Sequence, residues 1–383
     1  MKALLLTSEF PPGPGGIGTH AQQLAYHLSN RGWNLLVLSP QEYASEDEIK
    51  LFIRKQPYKI VRLRRWPEIL KVTDRFFKTL YWAHFWQPNV IIASGQRQTW
   101  LSAKLAKWIG RPWLAVGHGS EFLMGAAWER YLTRKAFAKA NMVVVVSHYT
   151  ESLMYGAGIQ PRHVTVIPNG ANPDIFRPEL NMTNVRENWK AISGPILLTV
   201  GSVTQRKAQD LVIGALPRLV NEFPTLNYLI AGNPILQPEL MGLARQLGVD
   251  QHVHFLGRVT ADELPYLYNL SDIFVLVSRQ ANSGDVEGYG IAVIEAALCG
   301  KPGIVTRDCG LEETVIDGET GFVVNQEDPE SIAKAAGRLL QDESLRKRMG
   351  WTAYKRAITE ATWAIRIKEY DELLRSIITD TIL

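Results

Sequence analysis

The feature that most constrains this chain is an alternation of short β-rich apolar runs with helical stretches, and the pattern occurs twice. In the first half the apolar runs fall at residues 3–7, 34–39, 59–63, 90–94, 113–117, 142–147 and 164–168. A stretch rich in Pro, Asn and Gly follows, "IPNGANPDIFRPEL" at 167–180. The pattern then restarts at 196–200, 227–231, 253–257, 273–278, 303–306 and 321–324. Short apolar runs separated by crossover helices are the strands of parallel sheets buried on both faces. The sequence therefore predicts an α/β protein with two Rossmann-like, doubly wound domains, 1–170 and 171–362, facing a central cleft. Residues 363–378 form an amphipathic helix, and the segment 363–383 is free to pack on either domain, including back across to the first. A length of 383 residues is too great for one ordinary core and suits two.

The first loop poses a question. "FPPGPGGIGTH" (10–20) carries Gly13, Gly15 and Gly18 in G-x-G-x-x-G spacing, between the strand 3–7 and a helix expected at 19–29. That is where a dinucleotide fingerprint belongs, so an NAD-dependent oxidoreductase is a rival reading.

Bulk properties narrow the field. With 46% hydrophobic and 21% charged residues and a formal charge of +4, the chain suits an anionic small molecule or an anionic surface better than a nucleic acid. Cys299 and Cys309 are its only cysteines, so neither a disulfide framework nor a zinc cluster is available, which fits a reducing cytoplasm. The apolar run Leu4 to Leu6 is too short for a signal peptide, and no stretch reaches the roughly 18 apolar residues that span a bilayer. A cytoplasmic enzyme is expected, peripheral on the inner face of the plasma membrane if it touches a membrane at all.

The most informative stretch is "NSGDVEGYGIAVIEAA" (282–297), where two glutamates, Glu287 and Glu295, lie eight apart around a Gly-Tyr-Gly turn. Gly288 and Gly290 permit positive φ and close backbone approach, and the helix opening at Ile291 aims its free N–H groups back into the loop as an anion seat. Glu295, one turn into that helix, suits the vicinal diol of a ribose, and Glu287 the hydroxyls of a sugar beyond the phosphates. Taken alone, the pair also reads as a dipole-stabilised helix glutamate and a solvated loop glutamate. The loop Gly201 to Lys207, "GSVTQRK", follows the first strand of the same half. Arg206 and Lys207 would make a plain basic turn elsewhere; at a strand's C-terminal end they can neutralise a diphosphate leaving group.

These stretches resemble the retaining glycosyltransferases of family 4, with the two-Rossmann GT-B architecture. The resemblance is carried by "EFPPGPGGIGTHAQQLAYHLSNRGW", "VVVSHYTESL", "VTVIPNGANPDIFRP", "VGSVTQRKAQDLVIGAL", "FLGRVTADELPYLY" and the Glu-x7-Glu signature with "EAALCGKPGIV", which together span the chain. It implies that the opening glycines serve a nucleotide sugar, with Gly15, Gly16 and Ile17 as donor-side contacts. It further implies His118, in "AVGHGSEF", on the donor sugar; Arg206 and Lys207 on the diphosphate; Val259 against the base; Glu287 on the sugar; and Glu295 on the ribose. Gly290 and Ile291 supply the helix N-terminus. The family carries Arg where this chain has Ser202, leaving Arg206 as the substitute. Under the resemblance the first domain binds the acceptor and the second the nucleotide sugar.

The expected reaction is front-face retaining transfer, because no carboxylate stands out as a nucleophile. Asp285 and Glu287 resemble a D-x-D/E metal pair but are read as non-metallic, since cations and a helix N-terminus already supply positive charge. No cofactor is implied beyond GDP or UDP as part of the donor substrate. "NSGDVEGYGI" looks most like mannosyltransferases acting on phosphatidylinositol or polyprenyl-linked glycans, so GDP-mannose leads. UDP-sugar-dependent glucosyl or N-acetylglucosaminyl transfer is the alternative, and a nucleotide-sugar epimerase a further one. The acceptor is expected to be lipid-linked or a glycan.

One stretch is left over. From Lys50 to Lys78 there are ten Lys or Arg and two acids, interleaved with aromatics. Drawn as a helix from Trp66, Ile69, Val72, Phe76 and Leu80 share one face, and Lys71, Arg75 and Lys78 the other. It reads either as an ordinary domain helix with a solvated face or as a basic, aromatic surface for anionic lipid, with Arg62, Arg64 and Arg65 beside it.

Overall fold

The computed structural model describes residues 1–13, 15–41, 44–63, 68–181, 189 and 192–382, with side chains for all of these except 68–74 and 380–382. The chain divides into two compact units, Met1–Asn169 together with Trp363–Leu383, and Gly170–Thr362.

The first unit is built on seven strands: β1 Lys2–Thr7, β2 Asn34–Ser39, β3 Lys59–Arg62, β4 Val90–Ser94, β5 Trp113–Gly117, β6 Met142–Val145 and β7 Val164–Val166. They form one sheet in the order β3-β2-β1-β4-β5-β6-β7, all neighbours parallel. The second unit holds β8 Ile196–Val200, β9 Asn227–Ala231, β10 Val253–Gly257, β11 Ile273–Leu276, β12 Gly303–Thr306 and β13 Gly321–Val324. Its order is β10-β9-β8-β11-β12-β13, again parallel throughout. Both sheets reverse direction beside their first strand, at β1/β4 and at β8/β11. The crevice outside the strand ends at such a reversal is where open α/β sheets take ligands.

The runs form strands because both faces of each sheet are covered. Ala3, Leu4 and Leu5 of β1 and Val90, Ile91, Ile92 and Ala93 of β4 are all fully buried. Leu4, Leu36, Ile91 and Phe137 anchor the first core, and Leu197, Tyr228, Val275 and Ile332 the second.

Most strand limits follow the apolar runs, and the departures have local causes. The run 142–147 yields a strand only to Val145, since Ser147 leaves the sheet to cap the helix His148–Gly156, accepting from Thr150 N at 2.9 Å. Ser278 leaves β11 to donate to the Arg206 carbonyl at 2.8 Å. The first helix, expected from Thr19, begins three residues earlier and runs Gly16–Asn30. Gly15, at φ +136°, turns the chain into it, and Thr19 closes the first turn by donating both N–H and Oγ1 to the Gly15 carbonyl, at 3.0 and 3.1 Å.

The last helix, Trp363–Ile382, belongs to the first unit. Tyr370 Oη lies 3.0 Å from His20 Nε2, and Trp33 Nε1 donates to Asp371 Oδ1 at 2.8 Å, with Arg375 Nε on the same oxygen at 2.7 Å. Trp363, Ile367, Tyr370 and Leu374 are buried along it. No helix among the described residues is long and apolar enough to cross a membrane.

Candidate active site

In the second unit the reversal at β8/β11 gathers the charges that the sequence separates by 80 residues. After β8 the chain passes Gly201, at φ +152°, into the single 3-10 turn Gln205–Lys207. The Arg206 carbonyl accepts from Ser278 Oγ and from Arg279 N at 3.0 Å, so the loop after β8 is fastened to the loop after β11. Arg206 Nε then donates to Asp285 Oδ2 at 2.9 Å, and both its guanidinium and the Lys207 ammonium pair with Glu287. All three members of that last set are largely buried, with 21%, 11% and 12% of their side-chain surface exposed. Burial pushes the Glu287 carboxyl up, but the Arg206 and Lys207 charges outweigh it and hold its pKa at about 2. Burial also draws Lys207 below the ordinary lysine value, against the attraction of Glu287. The cluster is thus two fixed cations balanced by two fixed carboxylates. It can exchange partners with an anion without a proton moving.

Beyond Glu287 the chain passes Gly288, whose carbonyl lies against Gly310 so closely that no side chain fits there. Gly290, at φ +96°, caps the helix Ile291–Leu298, and a side chain on it would strike Leu311. The first-turn N–H groups of this helix therefore open beside the Glu287 loop. Glu295 sits on the same helix, half-buried and accepting from Tyr268 Oη at 2.7 Å; burial raises its pKa to about 7. Ser202 and Val259 stand on the loops after β8 and β10, both half-buried, and neither side chain joins the ion-pair cluster. The Ser202 carbonyl accepts from Gln209 Nε2 at 3.2 Å, so this position is tied to the helix Gln209–Glu222 through its backbone.

The first unit has its own constellation at the β1/β4 reversal. Gly15 and Gly16 are exposed, and a side chain on Gly16 would meet only open space. A side chain on Gly15 would run into the Glu9 carboxylate. With Ile17 half-buried beside them, these residues begin the first helix as bare backbone N–H groups.

His118 follows β5. Its Nε2 is 2.9 Å from Ser94 Oγ at the end of β4, its backbone N–H donates to Glu121 Oε1 at 2.7 Å, and its ring meets that of His20 edge-on at 5.2 Å. Burial lowers its pKa to about 4, so it is a neutral imidazole at pH 7, with Nδ1 as the nitrogen not engaged by Ser94.

Four supporting residues are not evident in the sequence: Ser94, Glu121, Asp285 as an arginine partner, and Tyr268. Glu121 and Asp285 stand inside quoted motifs. Tyr268 also ends the quoted "FLGRVTADELPYLY", though nothing there marks it as a carboxyl partner; Ser94 carries no signal of its own, because a serine ending a strand is ordinary.

The basic stretch is only partly described. Arg64 and Arg65 lie outside the described residues, as does the side chain of Lys71. Lys59 sits over the Trp82 ring at 4.2 Å and Arg62 pairs with Glu46 at 2.6 Å. Arg75, drawn on the solvated face, is half-buried. The aromatics Phe77, Tyr81 and Phe85 of the helix Glu68–Trp86 are 63%, 53% and 65% exposed at four-residue spacing. Among the described residues no group of three or more His, Cys, Asp or Glu could hold a metal.

Two parallel Rossmann-like sheets define a class to which the following likenesses belong. HepE of Anabaena, solved with UDP-glucose, matches at a TM-score of 0.83 and 20% identity, covering 98% of this chain and all of that one. Sucrose-phosphate synthase from Thermosynechococcus elongatus matches at 0.84 and 19%, covering 99% and 100%. The fold is that of the GT-B glycosyltransferases. Residues 14–175 match the family described as Glycosyltransferase Family 4, and 183–356 that described as Glycosyl transferases group 1. The chain is 31% identical to the GDP-mannose-dependent alpha-(1-6)-phosphatidylinositol monomannoside mannosyltransferase of Mycolicibacterium smegmatis, over 97% of each. This chain belongs to the family 4 glycosyltransferases.

Proposed function

We propose that this glycosyltransferase moves mannose from GDP-mannose to a hydroxyl of a lipid-linked or glycan acceptor, with retention and without a metal. The observation that carries the reading is the pairing of Arg206 and Lys207 with Glu287 at the β8/β11 reversal. A diphosphate entering this loop replaces carboxylate oxygens with phosphate oxygens on the same cations, and the helix N-terminus at Gly290 adds N–H donors. Glu287, released from its cations, is left to accept from sugar hydroxyls. Glu295 takes the ribose diol, and Val259 packs against the base. The base and sugar are chosen on the likeness to the GDP-mannose-dependent relative of M. smegmatis.

As the glycosidic bond breaks, negative charge grows on the diphosphate, and two preorganised cations stabilise it most where they are desolvated. The leaving phosphate oxygen takes the proton of the attacking hydroxyl on the same face, which retains the configuration. Arg206 and Lys207 supply the positive charge beside the diphosphate in place of a divalent ion. In the first unit, Gly15, Gly16 and Ile17 offer backbone donors to an anionic ligand, and neutral His118 a hydrogen bond to a sugar hydroxyl.

Two measurements test this. GDP should raise the melting temperature more than UDP or ADP, and NAD should leave it unchanged, because only a ligand of the folded state stabilises it. Transfer should survive EDTA. Stabilisation by UDP alone would move the donor to a UDP-sugar, and loss of activity on chelation restored by Mn²⁺ would make Asp285 and Glu287 metal ligands.

A further inference from the structure

The first unit carries a half-open cavity of about 510 Å³ between its sheet and the helices Glu68–Trp86, Gln96–Ile109 and Ala127–Phe137. Its size is that of a small-molecule site. Leu6, Leu38 and Leu63, each no more than 5% exposed, meet Phe76, Trp100 and Leu132 along its wall. Each methylene of a hydrocarbon chain gains by leaving water for such a wall.

The charged lining is one-sided. Arg75, Arg97, Lys104, Lys135 and Lys139 border the cavity, and among the described residues no acidic one does. The last four are exposed, which puts their charges at the mouth. Two buried polar residues also line it, Thr79 and Gln98; Gln98 is 8% exposed and its amide oxygen has no hydrogen-bond partner among the described residues. That oxygen lies beside Gly95, and a buried acceptor of that kind calls for a donor such as an enclosed water.

We propose that this cavity holds one hydrocarbon chain of a phosphate-bearing lipid, with the phosphate on the cations at the mouth. An apolar wall and a cationic rim together match an amphiphile whose tail is hydrocarbon and whose head is an anion. The identity of that lipid as the sugar acceptor rests on the function proposed above; its binding does not.

Trp100 and Trp128 stand together on the wall, ring centroids 5.9 Å apart, and report occupancy directly. The full chain is titrated with a lysophosphatidic acid whose acyl chain carries bromine, kept below its micelle concentration. The parallel arms are the monoacylglycerol with the same brominated chain, and inorganic phosphate. Saturable quenching of tryptophan fluorescence is expected for the lysophosphatidic acid alone, with most of it lost in W100F. The exposed-charge variant K104Q/K135Q/K139Q should bind at least five-fold more weakly, and A103W, which fills the space from a lining position, should not bind. Should A103W fail to fold, the charge variant, altered only at exposed positions, still decides.

Unsaturable quenching, equal affinity for the monoacylglycerol, or unchanged binding in the charge variant would overturn the proposal. The two readings fail separately. Saturable binding without transfer to any lipid removes the lipid acceptor and leaves the cavity, whereas lipid-directed transfer without saturable binding does the reverse.

Discussion

Tyr268 donates its phenolic O–H to Glu295 Oε2 across 2.7 Å, holding a carboxyl that burial has raised to a pKa of about 7. A folded-state pKa above the ordinary 4.5 means that the native state keeps a proton the unfolded chain has released. The associated stability is full below pH 4.5 and is lost as pH rises through 7. Melting temperatures of the ligand-free protein between pH 5.5 and 8.5 should therefore fall more steeply for the wild type than for Glu295→Gln, whose side chain does not titrate. Parallel curves would mean that the carboxyl is not perturbed.

Glu287 and Lys207 sit in one ion cluster, and the proposal makes both act on the transition state. Glu287→Ala and Lys207→Ala should each lower kcat/KM at least on the order of 10²-fold, with the fold kept. Steady-state kinetics at saturating acceptor checks this, and near-native turnover in either variant would remove the cluster from the chemistry.

Ser94 holds Nε2 of His118 from the neighbouring strand, so it positions a ring that it does not replace. Ser94→Ala should leave the melting temperature within a few degrees and cut kcat by about ten-fold through loss of orientation. A kcat unchanged from wild type would show that the imidazole needs no such anchor.

How much of this was readable in the sequence follows from what each feature depends on. The strands β2, β4, β5, β8, β9, β10, β12 and β13 end where their apolar runs end, and in β2, β4, β5, β8, β9 and β12 nearly every residue is buried, which demands an uninterrupted apolar segment. Ser147 and Ser278 close their runs early, since a hydroxyl bonded to backbone outside the sheet wins over the run's β-propensity. The first helix was placed late because glycines discourage helix, yet Gly16 and Gly18 lie inside it, with Gly15 supplying the turn. Arg206, Lys207 and Glu287 were readable from loop position and motif. Their pairing was not, because 80 intervening residues carry no sign of which carboxylate meets which cation. The cavity was hidden altogether, since its wall is assembled from β1, β2 and three helices.

Phe77, Tyr81 and Phe85 leave an aromatic stripe exposed on the helix that ends the basic stretch. On an anionic bilayer such a stripe would add aromatic insertion to about 1 kcal/mol per nearby cation, screened over about 8 Å in physiological salt. The triple variant F77S/Y81S/F85S should lose most of its sedimentation with anionic vesicles while GDP stabilisation is unchanged. Equal sedimentation of variant and wild type would return the helix to an ordinary solvated role.

The central claim is mannosyl transfer from GDP-mannose with retention, and the product itself tests it most directly. The enzyme is incubated with GDP-mannose labelled with ¹³C at C1 and a phosphatidylinositol-containing lipid extract, with EDTA present. The lipid fraction is then read by the one-bond C1–H1 coupling of the transferred sugar. The account predicts labelled mannose in the α configuration, as in the donor, and none when UDP-glucose replaces GDP-mannose. A β-mannoside, or label that enters lipid only from UDP-glucose, would contradict it.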